Sequence, residues 1–314
     1  MSKVLRWRMT MAGLAAALAL TACGGSDGDD VEAVTMPPVA SGMQQNAAAP
    51  VLTNNVAVDG RNWINYRRTQ LGVPVVTENA QINNAALGHS EYLRTNNIMS
   101  HEQEPGKPGF TGATVGDRLN GAGYTLPATG FAYGEVISGT SNQSGFYMAE
   151  ELITAIYHRF VMFEPVFQEI GTGAATSSGG YTYFTANFAT RGGYGPGIPA
   201  GTIVTWPFAG QTQVQPNFFS DFEEPDPVPD RNEVGYPISV HANINAPLTV
   251  QSFVVRPRGG EPLPVQQVLP LSTAKTAAAI VPVAPLRGGT TYDVSFSGTV
   301  SGAPVTHSWS FTTR

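Results

Sequence analysis

The stretch AIYHRFVMFEPVFQEIGTG, residues 155–173, contains the end of a helix, a proline stop and the beginning of a strand. Apolar residues recur at helical spacing from Met148 to Phe160, so one face of this helix is apolar. Pro165 prevents the helix from continuing, and the segment after it is a strand candidate. The pattern therefore predicts a long helix over about residues 145–163, followed directly by a strand.

Three more helices and one strand are predicted before this stretch, and one more strand is predicted after it. One helix extends over about residues 59–71 with Gly72 as its stop, and a second begins with Thr77 as N-cap. A third begins at Thr114, where Asp117 completes a capping-box pattern. This mixture of helices and strands predicts an α+β or layered αβα domain. The strand candidates are FAYGEVIS (131–138) and YTYFTANFAT (181–190).

The last third of the chain has a different periodicity. Short alternating segments are separated by proline and glycine, and Tyr292, Val294 and Phe296 alternate with polar residues. Regular short strands of this kind predict an all-β sandwich. The ending TTYDVSFSG…SWSFTT resembles bacterial Ig-like domains, which implies a spacer or adhesive module. Its two histidines, His241 and His307, are interpreted as structural or solvated.

Between these regions lies a stretch rich in glycine, proline and acidic residues, including GGYGPGIPAG and EEPDPVPD. It has few apolar anchors, so residues 196–232 are predicted to be a linker. The α+β domain is then predicted over 56–195 and the Ig-like domain over 233–314. Cutting the chain within the linker is expected to leave two soluble pieces that fold independently.

The beginning of the chain predicts export. Three basic residues precede an apolar run that is too short to span a bilayer, which is typical of a signal peptide. The following LTAC resembles a bacterial lipobox, which implies cleavage before Cys23 and its acylation; an ordinary secretory signal is the alternative. Residues 1–22 are the predicted lipoprotein signal peptide and 23–55 a disordered tether. The membrane is a predicted partner through the lipid anchor, at the outer membrane or cell surface of a Gram-negative host.

Charge and cysteine content exclude several classes of function. Removing residues 1–22 changes the formal net charge from −6 to −9, because that segment contains three basic and no acidic residues. An acidic chain without a basic cluster is not expected to bind nucleic acid. Cys23 is the one cysteine, so disulfides and thiolate metal sites are excluded.

Three polar residues are candidates for a site. His101 follows the exit of the second helix, Glu135 lies within the apolar strand YGEVIS, and His158 is at the edge of the long helix. A carboxylate in an apolar strand is costly unless it finds a partner or lies exposed on an edge strand. His89, on the apolar face of its helix, is interpreted as a buried histidine satisfied by a hydrogen bond. No local motif links the three candidates, so chemistry alone leaves a shared site open.

The order of five segments resembles the CAP superfamily, also called the SCP or pathogenesis-related-1 family, in its bacterial form. The resemblance covers about residues 58–191 and implies a three-layer αβα sandwich with a cleft holding two histidines and two acids. The segments that carry it are WINYRR with LGVPVVTENAQINNAALGHSEYLRTNNIMSH, DRLNGAGY, YGEVIS, AIYHRFVMFEPVFQEIGTG and YTYFTANFAT.

Carried over by position, the resemblance assigns the two histidines to His101 and His158 and the strand acid to Glu135. It assigns no second acid, because Ala155 stands where many relatives have Glu or Ser. The family's Gly-Glu-Asn-Ile also differs, with Val136 in place of Asn. Glu150 and Glu151 are nearby but out of register, and they are not assigned.

Two imidazoles and a carboxylate can bind a divalent metal such as zinc and leave one position open. Alternatively, the acid orients the histidines by hydrogen bonds. The family has no agreed reaction and the second acid is missing, so we predict a non-enzymatic binding module for a metal, lipid, small molecule or envelope component. A metal-dependent hydrolase using the same cleft and a structural or adhesion protein of the envelope are the alternatives.

Overall fold

The computed structural model describes residues 48–273 and 275–314. The predicted signal peptide, Cys23 and most of the predicted tether lie outside these residues. Within the described part, no helix has the length and apolar character needed to cross a membrane.

The N-terminal half is built around a four-stranded sheet with the strand order β1-β3-β4-β2. β1 runs parallel to β3, whereas β4 is antiparallel to both of its neighbours, and β2 is an edge strand. The strands are β1 (Thr77–Glu78), β2 (Phe131–Thr140), β3 (Glu169–Thr176) and β4 (Thr182–Arg191). The helices are α1 (Val56–Leu71), α2 (Ala80–Asn96), α3 (Val115–Gly121), α4 (Gly145–Thr154) and α5 (Ile156–Met162).

Helices cover both faces of this sheet. On one face α2 lies so close to β3 that a Cβ atom at Gly171 or Gly173 would collide with the helix backbone. On the other face a Cβ at Gly134 would lie 2.8 Å from Cγ1 of Val161 in α5. Helices α1 and α4 also pack on this second side. The predicted α+β class and three-layer αβα arrangement are therefore confirmed.

Two helix boundaries differ from the predictions. Thr77 is not an N-cap, because it pairs with β3 as part of β1. The cap of α2 is Asn79, whose side chain accepts hydrogen bonds from the backbone amides of Gln81 and Ile82. The first four amides of a helix need such acceptors, and Asn supplies one as well as Thr does. The capping box of Thr114 and Asp117 at α3 is confirmed.

The predicted long helix over 145–163 is interrupted at Ala155, which has extended ψ of 120° and separates α4 from α5. The break leaves amides at the start of α5 and carbonyls at the end of α4 without helical partners. Glu223 accepts from the amides, and the buried guanidinium of Arg159 donates to the carbonyl of Ile153 at 2.6 Å. The interruption is thus compensated by tertiary contacts that the local pattern does not contain.

The C-terminal half consists of β-sheets, in agreement with the predicted Ig-like sandwich. A four-stranded sheet has the order β10-β11-β8-β5, a three-stranded sheet the order β13-β12-β9, and β6 pairs with β7. Tyr292, Val294 and Phe296 face the core, as their alternation predicts. The strands are β5 (Ile203–Trp206), β6 (Asn217–Phe219), β7 (Glu233–Gly235), β8 (Ile238–Ala242), β9 (Leu248–Pro257), β10 (Val265–Val268), β11 (Ala277–Pro282), β12 (Thr291–Val300) and β13 (Ala303–Thr312).

The predicted linker, residues 196–232, differs from the structure. It supplies β5 and β6, and its side chains Trp206 and Val228 are buried. Trp206 makes an edge-on contact with Phe163 of the N-terminal half, with 5.2 Å between ring centroids. One apolar cluster runs through both halves, and residues 196–232 are packed into it despite their proline- and acid-rich composition. The buried apolar residues are dispersed among glycine, proline and acidic residues, which is why composition did not reveal them.

Candidate functional site

Glu135 lies in the edge strand β2, with its side chain on the face covered by α2 and α3. Only 1% of this side chain is accessible to solvent. Its Oε2 accepts a hydrogen bond of 2.7 Å from Nη2 of Arg118, and its Oε1 lies 3.0 Å from Nδ1 of His101. Both carboxylate oxygens are therefore engaged, one by a cation and one by an imidazole.

The charge of Glu135 is stabilised by its neighbours despite its burial. Burial alone would raise the pKa of a carboxyl group. Here Arg118, followed by His89 and His101, outweighs burial and holds the pKa of Glu135 well below its ordinary value of 4.5. Glu135 is therefore an ionised carboxylate at neutral pH.

The loop that carries His101 is fixed to α2 by a second, wholly buried histidine. Nε2 of His89 lies 2.9 Å from the carbonyl oxygen of Ser100, and the amide of Gln103 lies 3.0 Å from Nδ1 of His89. Because a carbonyl only accepts, Nε2 donates and Nδ1 accepts from the Gln103 amide. Burial lowers the pKa of His89 to about 4, which keeps this ring neutral. The interpretation of His89 as a buried structural histidine is confirmed, and its position explains why His101 is held in place.

Arg118 joins the loop to the sheet. Its Nη1 donates to the carbonyl oxygen of His101 at 3.1 Å, while Nη2 binds Glu135. The side chain is wholly buried on α3, whose start is fixed by the Thr114 capping box. Arg118 therefore holds His101 by two contacts. One is its hydrogen bond to the backbone carbonyl of His101, and the other is its ion pair with the carboxylate that binds the His101 ring.

His158 has a different carboxylate partner. Its Nδ1 lies 3.0 Å from Oε1 of Glu223, a residue of the predicted linker that is only 2% exposed. The same carboxylate accepts from the backbone amides of Ile156, Tyr157 and His158. Glu223 thus holds both the ring of His158 and the beginning of α5.

The structure brings His101 and Glu135 into direct contact, as the sequence predicted, and it places Glu223 rather than Glu135 on Nδ1 of His158. The two carboxylate–histidine pairs come from opposite layers of the sandwich. Glu135 projects toward α2 and α3, whereas α5 packs against the other face of β2, above Gly134. Both layers meet at the edge strand β2.

Two residues that contact the candidates, Arg118 and Glu223, were not predicted from the sequence. Arg118 was present in the DRLNGAGY segment, and its signal was the need of a buried Glu135 for a cationic partner. Glu223 gave no local signal, because it stands in a stretch that is rich in acidic residues and proline. Glu150, left unassigned, accepts hydrogen bonds from Trp63 at 2.7 Å and Arg67 at 2.9 Å and belongs to another contact.

The family described as "CAP: Cysteine-rich secretory protein family" has a model that matches residues 62–188. The match contains His101, His158, Glu135 and Arg118, but it ends before Glu223. The cysteine pattern in the family's description has no counterpart here, since the single cysteine lies outside the match. A comparison with curated proteins gives no match.

Three solved structures similar to this chain are bacterial. An extracellular protein containing an SCP domain from Bacillus anthracis is 22% identical, with 46% of this chain and 45% of that chain covered and a TM-score of 0.36. An outer surface protein of Borrelia burgdorferi is 14% identical, with coverages of 42% and 89% and a TM-score of 0.35. A cysteine-rich secretory protein of Staphylococcus aureus is 14% identical, with coverages of 45% and 40% and a TM-score of 0.33. This chain therefore spans less than half of the first and third of these proteins, and matches at such TM-scores carry no argument about function.

Proposed function

We propose, starting from the CAP domain formed by residues 62–188, that this chain is an exported binding protein attached to the bacterial envelope by a lipid on Cys23. Its ligand is a small amphipathic molecule whose polar end binds at the carboxylate-held histidines. The remainder of the chain keeps this site in place and away from the membrane.

The observation that carries the proposal is the arrangement of the two imidazoles. Each has Nδ1 fixed by a buried carboxylate, yet 27% of the His101 side chain and 13% of the His158 side chain remain accessible. The site therefore presents two partly accessible imidazoles whose orientation is fixed, with little conformational entropy left to lose on binding.

Apolar side chains near these residues in the chain support an amphipathic ligand. Met99, two residues before His101, is 47% exposed, and Phe222, next to Glu223, is 85% exposed. Phe219 packs edge-on against Phe222 with 6.4 Å between ring centroids and is itself 42% exposed. Exposed apolar side chains of this kind are typical of interaction surfaces.

Zinc binding stays a prediction, and the described residues give it little support. Among them, no group of three or more histidine, cysteine, aspartate or glutamate side chains is placed to hold a metal ion. Glu135 is bound to the Arg118 cation, which would repel a metal ion at the same carboxylate. Zinc is therefore a separate arm of the experiment below.

One observation favours hydrolysis as a second candidate function. A carboxylate held on Nδ1 of an imidazole is also the arrangement of a histidine that acts as a general base. Glu135 itself cannot shuttle protons at neutral pH, because Arg118 keeps its pKa far below that range. A reaction at this site would thus depend on His101 or His158.

Titration of the purified mature protein with a fluorescent long-chain alcohol, and separately with zinc chloride, tests the binding proposal. We expect saturable binding of the alcohol, weakened about tenfold or more by His101→Ala. His307→Ala is the matched control, since that ring stacks on Trp309 in the C-terminal sheets. Absence of saturable alcohol binding, or equal binding by His101→Ala, would contradict the proposal, and release of product from ester or peptide substrates would favour the hydrolase.

Anchoring is tested independently of the ligand. Cys23→Ser should move the mature chain from the membrane fraction to the soluble fraction, because more than one acyl chain is needed for stable attachment. Unchanged fractionation, together with an N-terminal peptide that carries no lipid mass, would refute the anchor.

A further inference from the structure

Glu223 is unusual among the residues around it. It follows a single 3₁₀ turn, Ser220–Phe222, in the loop that connects β6 to β7. Its neighbours Phe222 and Glu224 are exposed, yet Glu223 is 2% exposed and turned toward α5. One acid of an acidic surface loop is thus withdrawn from solvent and placed against the CAP domain.

Both oxygens of this carboxylate accept hydrogen bonds from the beginning of α5. Oε2 accepts from the amide of Ile156 at 2.8 Å, and Oε1 accepts from the amides of Tyr157 at 2.6 Å and His158 at 3.0 Å. Helix α5 has no side-chain cap of its own, because the residue before it is Ala155. A carboxylate is an acceptor only, so the contact with Nδ1 of His158 requires the proton on Nδ1.

The loop that delivers Glu223 is anchored independently of this contact. The backbone amide of Ser220 donates to the carbonyl of Asn232 at 2.8 Å, and the Ser220 hydroxyl donates to the carbonyl of Arg231. Val228 packs with Ile156 and Phe160 of α5 in a buried apolar cluster. The carboxylate therefore reaches His158 already oriented, which lowers the entropy lost in forming the pair.

From these contacts we infer that Glu223 is a positioning residue of the histidine site: it fixes the tautomer and direction of His158 from outside the CAP match. The effect of Glu223 on ligand binding rests on the proposed function, but the tautomer of the His158 ring can be measured without any ligand. A plain helix cap would need only the backbone amides and would make no contact with the ring of His158. The site is then shared between both halves of the chain, and residues 62–188 contain only one of its two carboxylates.

The test uses the full mature chain with ¹⁵N-labelled histidine. Nitrogen shifts distinguish a protonated Nδ1 from a protonated Nε2, and His89, which donates from Nε2, serves as the opposite reference within the same molecule. In the wild type, His158 should show protonated Nδ1. Glu223→Gln should reduce this tautomer and weaken binding of the fluorescent alcohol about tenfold. Glu224→Gln, the same change at the exposed neighbour, should alter neither.

The outcomes separate the inference from the proposed function. A wild-type His158 with protonated Nε2 would overturn the inference even if Glu223→Gln fails to fold. A folded Glu223→Gln protein with an unchanged His158 tautomer would also overturn it, leaving a plain helix cap. If the tautomer changes as expected but the wild type does not bind the alcohol, the positioning role is supported and the proposed ligand class is refuted.

Discussion

The Glu135–His101 and Glu223–His158 pairs hold an imidazole in the same way, through Nδ1 at 3.0 Å, but they stabilise the buried carboxylate differently. Glu135 is paired with Arg118, a cation from the neighbouring helix. Glu223 is bound by three backbone amides at the start of α5. A buried carboxylate can thus be satisfied by a charge or by oriented dipoles, and both leave an acceptor oxygen for a histidine.

The difference determines where each pair is vulnerable. The Glu135 pair lies within the N-terminal half, where Arg118 binds the carboxylate and His89 fixes the loop that carries His101. The Glu223 pair lies between the two halves and depends on the loop after β6 remaining docked on α5. The first pair should therefore respond mainly to changes of charge, and the second to separation of the halves.

Separating the halves should have the largest effect. A piece covering 48–195 lacks Glu223 and Val228, so the apolar face of α5 with Ile156 and Phe160 is uncovered. We expect this piece to lose cooperative unfolding in calorimetry and to aggregate, because several buried side chains lose their partners at once. Mixing it with the piece covering 196–314 should restore a transition. Cooperative folding of the isolated 48–195 piece would show that the halves are independent, as the sequence alone suggested.

Substituting Arg118 should have the next largest effect. Arg118→Met leaves Glu135 buried without its cation, which should lower the free energy of unfolding by about 3–5 kcal/mol in urea titrations. Arg258→Met is the control, since the Arg258–Asp293 pair has a similar distance of 2.7 Å but lies on the surface and should contribute nothing measurable. Equal losses of unfolding free energy in the two variants would mean that the burial of Glu135 does not increase the cost of removing its cation.

Acid should destabilise the protein through His89. Burial lowers the pKa of His89 from 6.5 to about 4, so the folded state binds fewer protons than the unfolded state between these values. Its contribution is complete above pH 6.5 and is lost as the pH falls toward 4. His89→Gln should therefore make the pH dependence of the unfolding free energy shallower by up to about 1.4 kcal/mol per pH unit in this window.

His241 provides the comparison in the other half, where burial lowers the imidazole pKa to about 3. His241→Gln should also make the pH dependence of the unfolding free energy shallower if both halves unfold together. If the unfolding free energy of His89→Gln depends on pH as steeply as that of the wild type, the role of His89 is contradicted. Two separate unfolding transitions would contradict the shared core.

The smallest expected effect concerns the helix caps. Thr114→Ala removes the cap of α3, the helix that carries Arg118, and should cost about 1 kcal/mol of unfolding free energy. Ser144→Ala removes the cap of α4 and should cost a similar amount. Only Thr114→Ala should also change the ¹⁵N shifts of His101, because α3 positions the Arg118 that binds the His101 carbonyl. Identical His101 spectra in both variants would show that α3 does not determine the position of His101.

Local patterns predicted the elements that local physics controls. The alternation of Tyr292 to Phe296, the Thr114 capping box and the strand around Glu135 all appear in the structure. The contact of His101 with Glu135 was predicted from the order of segments and the cost of a carboxylate in an apolar strand. The helix break at Ala155 was not predicted, since apolar spacing continues across it and its compensation comes from Arg159 and Glu223.

By itself, the sequence determined the fold class of both halves, because periodicity and caps are visible within a few residues. The Glu135–His101 pair was predicted from the order of five segments that resembles a known family, since local chemistry alone left a shared site open. Tertiary structure alone decided that the acid- and proline-rich segment is packed and that Glu223 is the partner of His158, 65 residues away. An acidic side chain in such a segment is solvated in the extended chain. It becomes a buried acceptor only when β6, β7 and the Val228 cluster bring it against the free amides of α5.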